Sequence, residues 1–180
     1  PGYLGVKRTR LAEPLDDFFF DPTYEHVLGA TRPRADGRPT AQVVNLDVRR
    51  KIADLAIAGM PHLGSGITFA WNGTTVLASP NLKDGALDVI DMGTWKPVKT
   101  IATPGPGFFM RSHEKTPYAW VDSMMSPTAK DTLSIIDKRT LETVATVREP
   151  GKTLAHVEFT KDGRYALASL WEMDGALIVY

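Results

Sequence analysis

Leu87-Asp88-Val89-Ile90-Asp91, followed by Met92-Gly93-Thr94-Trp95-Lys96, decides the fold, because the same arrangement recurs on either side of it. An apolar run of strand length ends on an Asp, a turn follows, and a second strand begins, here over 98–101. Upstream stands Val43-Val44-Asn45-Leu46-Asp47 with Val48-Arg49-Arg50-Lys51-Ile52. Downstream stands Leu133-Ser134-Ile135-Ile136-Asp137 with Lys138-Arg139-Thr140-Leu141-Glu142, whose second strand is expected over 143–147. Asp47, Asp91 and Asp137 are read as the matching turn residues, 44 and 46 positions apart. A fourth copy, Ala176-Leu177-Ile178-Val179-Tyr180, stops where its turn Asp is due.

Each copy is preceded by another strand pair around a turn. The four first strands and turns are Phe18-Phe19-Phe20-Asp21-Pro22-Thr23-Tyr24, Ile67-Thr68-Phe69-Ala70-Trp71-Asn72-Gly73, Phe108-Phe109-Met110-Arg111-Ser112-His113-Glu114 and Val157-Glu158-Phe159-Thr160-Lys161-Asp162-Gly163. They lead into Val27-Leu28-Gly29-Ala30, Val76-Leu77-Ala78-Ser79, Ala119-Trp120-Val121-Asp122 and Ala166-Leu167-Ala168-Ser169. Four strands per repeat, with turn chemistry between them, is the signature of a β-propeller blade. The expected fold is therefore all-β, a propeller of about four four-stranded blades over 12–58, 59–103, 104–149 and 150–180, the last incomplete. A β-sandwich is the structural alternative, but it does not require one four-strand unit to recur at fixed spacing. Four blades do not usually close a ring, so the chain is expected to be part of a larger propeller.

Composition narrows the chemistry. Lys+Arg and Asp+Glu number 21 each in 180 residues, which leaves no basic field for nucleic acid. There is no Cys, which excludes disulfides, thiolate metal sites, a Cys nucleophile and C-x-x-C-H haem attachment within these residues. No apolar run has the length of a membrane span. The start, Pro1-Gly2-Tyr3, carries neither an initiator Met nor a signal peptide, and reads as that of an excised or processed piece. Phosphate-binding loops and the G-x-S-x-G elbow are missing as well.

In a propeller, the loops that lead from the outermost strand of one blade to the innermost strand of the next converge near the central channel. Here they are residues 59–66, 104–107 and 149–152. The first contains Met60-Pro61-His62-Leu63-Gly64-Ser65-Gly66, which makes His62 a candidate metal or haem-iron ligand. Pro61 restricts the backbone, and Gly64 and Gly66 are expected to allow a flat ligand close to the main chain. The competing reading of the same residues is a tight connection that His62 merely caps. Arg111 and Lys152 flank the channel loops and could pair with ligand carboxylates or simply face solvent. Trp171 could wall a ligand or pack between blades. His113 is expected to be a hydrogen-bonded turn residue, and His26, on a polar strand face, to be exposed.

The order of Pro61-His62-Leu63-Gly64-Ser65-Gly66, the run Phe109-Met110-Arg111-Ser112-His113 leading to Tyr118-Ala119-Trp120-Val121-Asp122, and Glu158-Phe159-Thr160-Lys161-Asp162-Gly163 through Ser169-Leu170-Trp171 resembles the haem d1 propeller domain. That domain occurs in cytochrome cd1 nitrite reductase and in dihydro-haem d1 dehydrogenase. The resemblance, which runs over nearly the whole chain, implies an eight-bladed propeller of which this would be about the C-terminal half. It implies a periplasmic iron tetrapyrrole enzyme of denitrification, with His62 on the haem iron and Gly64, Gly66, Arg111 and Trp171 around the cofactor. Where the reductase carries a second distal histidine, this chain has Pro80, whose side chain can neither donate a proton nor hydrogen-bond an anion. Where glutamine is expected in the reductase, it has His156, as the dehydrogenase does. The resemblance therefore leans to the dehydrogenase, with His156 as the base that helps turn a propionate into an acrylate. Nitrite reduction is the alternative, and a non-catalytic propeller scaffold is a second one. A c-type haem, if required, would belong to a further domain or an electron-transfer partner.

Overall fold

A computed structural model describes residues 4–33 and 35–180; Pro1-Gly2-Tyr3 lies outside the described residues. Four antiparallel sheets follow one another along the chain. The first contains β1 (Asp17–Phe20), β2 (His26–Ala30), β3 (Ala41–Asn45) and β4 (Arg50–Leu55). The second contains β5 (Ile67–Trp71), β6 (Thr74–Pro80), β7 (Ala86–Asp91) and β8 (Lys96–Ala102). The third contains β9 (Met110–Ser112), β10 (Tyr118–Asp122), β11 (Thr132–Asp137) and β12 (Glu142–Arg148). The fourth has three strands, β13 (Leu154–Phe159), β14 (Ala166–Leu170) and β15 (Leu177–Val179). In every sheet the strands lie side by side in chain order.

Period-two patterning assembles these sheets into a propeller. Strand side chains alternate between faces, so Leu77 and Ile90 point from the second sheet into a core shared with Leu28, Val43 and Leu55 of the first. Their neighbours Val76, Ala78, Leu87 and Val89 point the other way, to Met110, Ala119, Val121 and Ile136 of the third. Trp120 and Leu133 in turn meet Leu154, Val157, Ala166 and Ala168 of the fourth. Each middle strand is buried on both faces, which favours runs of Val, Leu, Ile and Ala. A fully buried Leu or Ile such as Leu77 or Ile90 contributes about 1.5–3 kcal/mol from burial. First strands of adjacent sheets approach one another, β5 to β9 and β9 to β13. Fourth strands such as β12 are largely exposed at the rim. First strands therefore line the axis, and the loops before them lie where the blades converge.

The structure corrects the register of the first repeat. Its turn residue is Asn45, not Asp47. The Asn45 side chain accepts the N–H groups of Asp47 and Val48, just as Asp91 accepts those of Gly93 and Thr94 and Asp137 accepts that of Arg139. Four residues after each of these, Arg49, Trp95 and Leu141 take φ values of 56°, 57° and 57° to close the hairpin. A β-bulge also recurs between Val43 and Val44, Val89 and Ile90, and Ile135 and Ile136. All three markers step by 46 residues in both intervals. The amide of Asn45 does the turn-capping work of a carboxylate because only an acceptor oxygen is needed.

Candidate functional site

Two inter-blade segments place the candidate histidines. Before β5 the chain makes a short 3₁₀ turn (Leu63–Ser65), absent before β9, and His62 stands at its head. Three contacts seat it. The His62 N–H donates to Pro80 O at 2.7 Å, Leu63 is buried in the core between the first two sheets, and the Gly64 N–H donates to Asp17 at 2.9 Å. The imidazole Nδ1 lies 2.6 Å from Phe108 O. A carbonyl oxygen only accepts, so Nδ1 carries a proton, which in the neutral ring leaves the lone pair on Nε2, the arrangement of a metal-ligating histidine held by an outer hydrogen bond.

His156 is presented differently. It sits inside β13, yet Ala155 pairs with Ser169 and Val157 with Ala168, which leaves His156 as an unpaired bulge. Its φ is 54°. Every other non-glycine residue of positive φ among the described residues, Tyr24, Arg49, Asn72, Trp95 and Leu141, falls in a hairpin turn. A left-handed histidine within a strand costs about 1–2 kcal/mol. The bulge turns the side chain off the sheet, leaving it 48% exposed. Its ring lies against Phe109 at 4.6 Å between centroids. Its Nε2 is 3.7 Å from Glu158, which also accepts a hydrogen bond from Arg111 Nε at 2.9 Å.

A continuous row of rings joins the two sites. His62 meets Phe108 at 4.1 Å, Phe108 meets Phe109 at 4.7 Å, and Phe109 meets both His156 and the edge of Trp171, the latter at 6.3 Å. Trp171 is 61% exposed, so it borders this row instead of filling a core. Residues from three blades thus form one aromatic wall with an imidazole at each end. Phe108, Phe109 and Glu158 are functional candidates that motif reading passed over. The inter-blade position of the first two, next to a histidine loop, was the available signal.

Other expectations need amendment. Gly64 and Gly66 owe their size to neighbouring chain, because a Cβ on Gly64 would meet Asp17 and one on Gly66 would meet Leu77 and the Ala78 carbonyl. Neither has positive φ, and the chain turns here through the 3₁₀ turn. Arg111 is ion-paired with Glu158 and donates to Met110 O, rather than standing free beside the channel. His26 is not exposed. Its side chain is 16% accessible, its Nδ1 faces Asp21 at 3.2 Å, and its Nε2 faces the Asn45 amide at 3.2 Å. That network ties the β1–β2 turn to the β3–β4 turn of one blade, with partners that lie apart from His26 in the sequence. His113 is a turn residue as expected, its Nδ1 accepting the Lys115 N–H. Among the described residues, no three His, Asp or Glu side chains cluster as a protein metal site, and no helix is long and apolar enough to cross a membrane.

Similarity to known proteins agrees with this geometry. A dihydro-heme d1 dehydrogenase of Pseudomonas aeruginosa is 49% identical over 178 residues, covering 98% of this chain and 35% of that protein. The solved structure of the dihydro-heme d1 dehydrogenase NirN in complex with DHE superposes with a TM-score of 0.90 over 97% of this chain and 36% of that one. Hydrazine synthase of Kuenenia stuttgartiensis has the same fold, with a TM-score of 0.71 at 14% identity over 99% of this chain and 49% of that one. The chain thus spans about a third of the length of the dehydrogenase it matches. The family profile described as Cytochrome D1 heme domain matches residues 3–180, and the chain, a propeller with a histidine loop at its axis, belongs to that family.

Proposed function

We propose that this chain is the haem d1-holding part of a dihydro-haem d1 dehydrogenase, the enzyme that converts a propionate of the macrocycle into an acrylate. The observation that carries this reading is the aromatic row with His62 at one end and the bulged His156 at the other, in a chain 49% identical to such a dehydrogenase. The residues suit an iron tetrapyrrole. His62 offers a lone-paired Nε2, and Phe108, Phe109 and Trp171 offer flat apolar faces. With no three-residue metal cluster among the described residues, the iron would come already held by its macrocycle. When bound, the conjugated iron macrocycle supplies the electron sink.

His62, Trp171 and the aromatic row hold and orient the ligand, and Gly64 and Gly66 keep the His62 loop compact. Forming the acrylate removes two protons and two electrons from adjacent carbons: one proton goes to His156, the other to solvent, and the electrons to an external acceptor. His156 takes a proton as the neutral imidazole, and the Glu158 carboxylate 3.7 Å away stabilises the cation formed. Arg111 holds Glu158 in place and keeps its Nη2 for a ligand carboxylate. Pro80 is buried in β6, with its carbonyl engaged by His62 N–H. It therefore presents no proton donor for nitrite. With no Cys in the sequence, a c-type haem accepting the electrons belongs to another part of the protein or to a partner cytochrome, in the periplasm.

The complete protein should be supplied with dihydro-haem d1 and an artificial electron acceptor, and separately with nitrite and a reductant. Acrylate product, identified by a mass two hydrogens lighter, is expected. Nitric oxide formation without acrylate would replace this function with nitrite reduction, and an unchanged haem spectrum on addition would leave a scaffold.

A further inference from the structure

The residue that links the two histidines is Asp122, at the end of β10. Its side chain has no solvent exposure, and its carboxylate accepts four backbone N–H groups. Oδ1 takes those of Phe108 at 2.7 Å and Met124 at 3.4 Å. Oδ2 takes those of Phe109 at 3.1 Å and His156 at 3.5 Å. The Phe109 N–H and the Phe108 carbonyl belong to one peptide group, and that carbonyl is the acceptor for His62 Nδ1. Carboxylate, peptide and imidazole are therefore joined end to end. A peptide whose N–H is bound to a carboxylate has a more negative carbonyl oxygen, and hydrogen bonds in such a chain strengthen one another. The same carboxylate oxygen receives the amide that β13 cannot pair at its bulge.

We propose that Asp122 is a positioning residue: through the peptide between Phe108 and Phe109 its buried carboxylate fixes His62 in the Nδ1–H form, and through the same oxygen it holds the bulge of His156. This rests on the reading of both histidines as the working groups of the site. Burial pushes the Asp122 carboxyl above the usual carboxylate range, against the pull of the N–H groups of Phe108, Met124, Phe109 and His156. Burial thus disfavours the charged form of this carboxyl, and the four N–H groups gathered around it from neighbouring blades support that form. In the preceding blade the residue at the same ladder position is Pro80, which has no side-chain acceptor.

The test compares the complete protein with its Asp122→Asn variant, which keeps the volume and turns an NH₂ toward N–H donors. Without haem, the ¹⁵N shifts of the His62 ring, assigned by their loss in His62→Gln, should report the Nδ1–H tautomer in the parent and a mixture or the Nε2–H tautomer in Asp122→Asn. With haem d1 added, the variant should bind about 10–100-fold more weakly, as when an outer partner of a ligating histidine is lost, with shifted absorption bands. A purely structural role would lower stability in denaturant and leave the tautomer unchanged, and that result overturns the proposal. Should the variant not fold, the unaltered protein still decides. The relay requires a deshielded, slowly exchanging Phe109 amide proton together with Nδ1–H on His62, and absence of either overturns it. Because these signals are read without ligand, they stay separate from the functional reading, whose failure would show as a parent protein that makes no acrylate.

Discussion

The His62 loop and the His156 bulge present the same side chain by opposite means. His62 is tied at its backbone to Pro80, at its ring to Phe108 O, and underneath by buried Leu63. His156 has a left-handed backbone, one long N–H bond to Asp122, and a half-exposed ring touching Phe109. The tightly held imidazole, its Nδ1 committed, is suited to ligating a fixed centre. The loosely held one, with Nε2 facing a carboxylate, is suited to picking up a proton.

The largest way to sharpen that contrast is His156→Ala in the complete protein, which should retain haem binding and lose about a hundred- to ten-thousandfold in acrylate formation. Loss of binding with unimpaired turnover per bound ligand would exchange the two roles. Leu63→Ala attacks the other side. Removing a fully buried leucine beneath the His62 loop should cost about 2–5 kcal/mol in denaturant unfolding and shift the bound haem's absorption bands. A variant of parental stability would mean that the loop does not depend on its core contact.

A smaller effect isolates the strain at the bulge. His156→Gly and His156→Ala both remove the imidazole, but glycine accepts φ of 54° freely. His156→Gly should therefore be about 1 kcal/mol more stable than His156→Ala, and equal midpoints would show that the bulge relaxes. The smallest effect belongs to a rim turn that touches neither histidine. The Arg139 guanidinium and N–H hold Asp137 down to about 2. Its contribution is present above the unfolded carboxylate value and is lost as pH falls through the folded one. The stability gap between parent and Arg139→Ala should then close between about pH 4 and pH 2, with haem spectra unaltered. A gap independent of pH in that window would deny the pairing.

Much of this was open to reading from residues alone. Apolar runs at strand spacing, repeated four times, required sheets that are buried on both faces and stacked in sequence. The Pro- and Gly-flanked His62 fell by that logic into an inter-blade loop. The Asn45 register was hidden because Asp47 offered a better match of residue type, and only the ladder shows which oxygen receives the turn amides. The burial of His26 is hidden in the local sequence because its partners, Asp21 and Asn45, become neighbours only when two hairpins share a sheet.

Local periodicity and turn chemistry are enough to specify the all-β repeat and the loop that carries one histidine. The bulge at His156, the ring row across three blades and the Asp122 junction arise from packing. A bulge is defined by the partner strand's register, and a peptide shared between a carboxylate and an imidazole exists only after residues 62, 108, 122 and 156 have been brought together by the packing of one blade on the next.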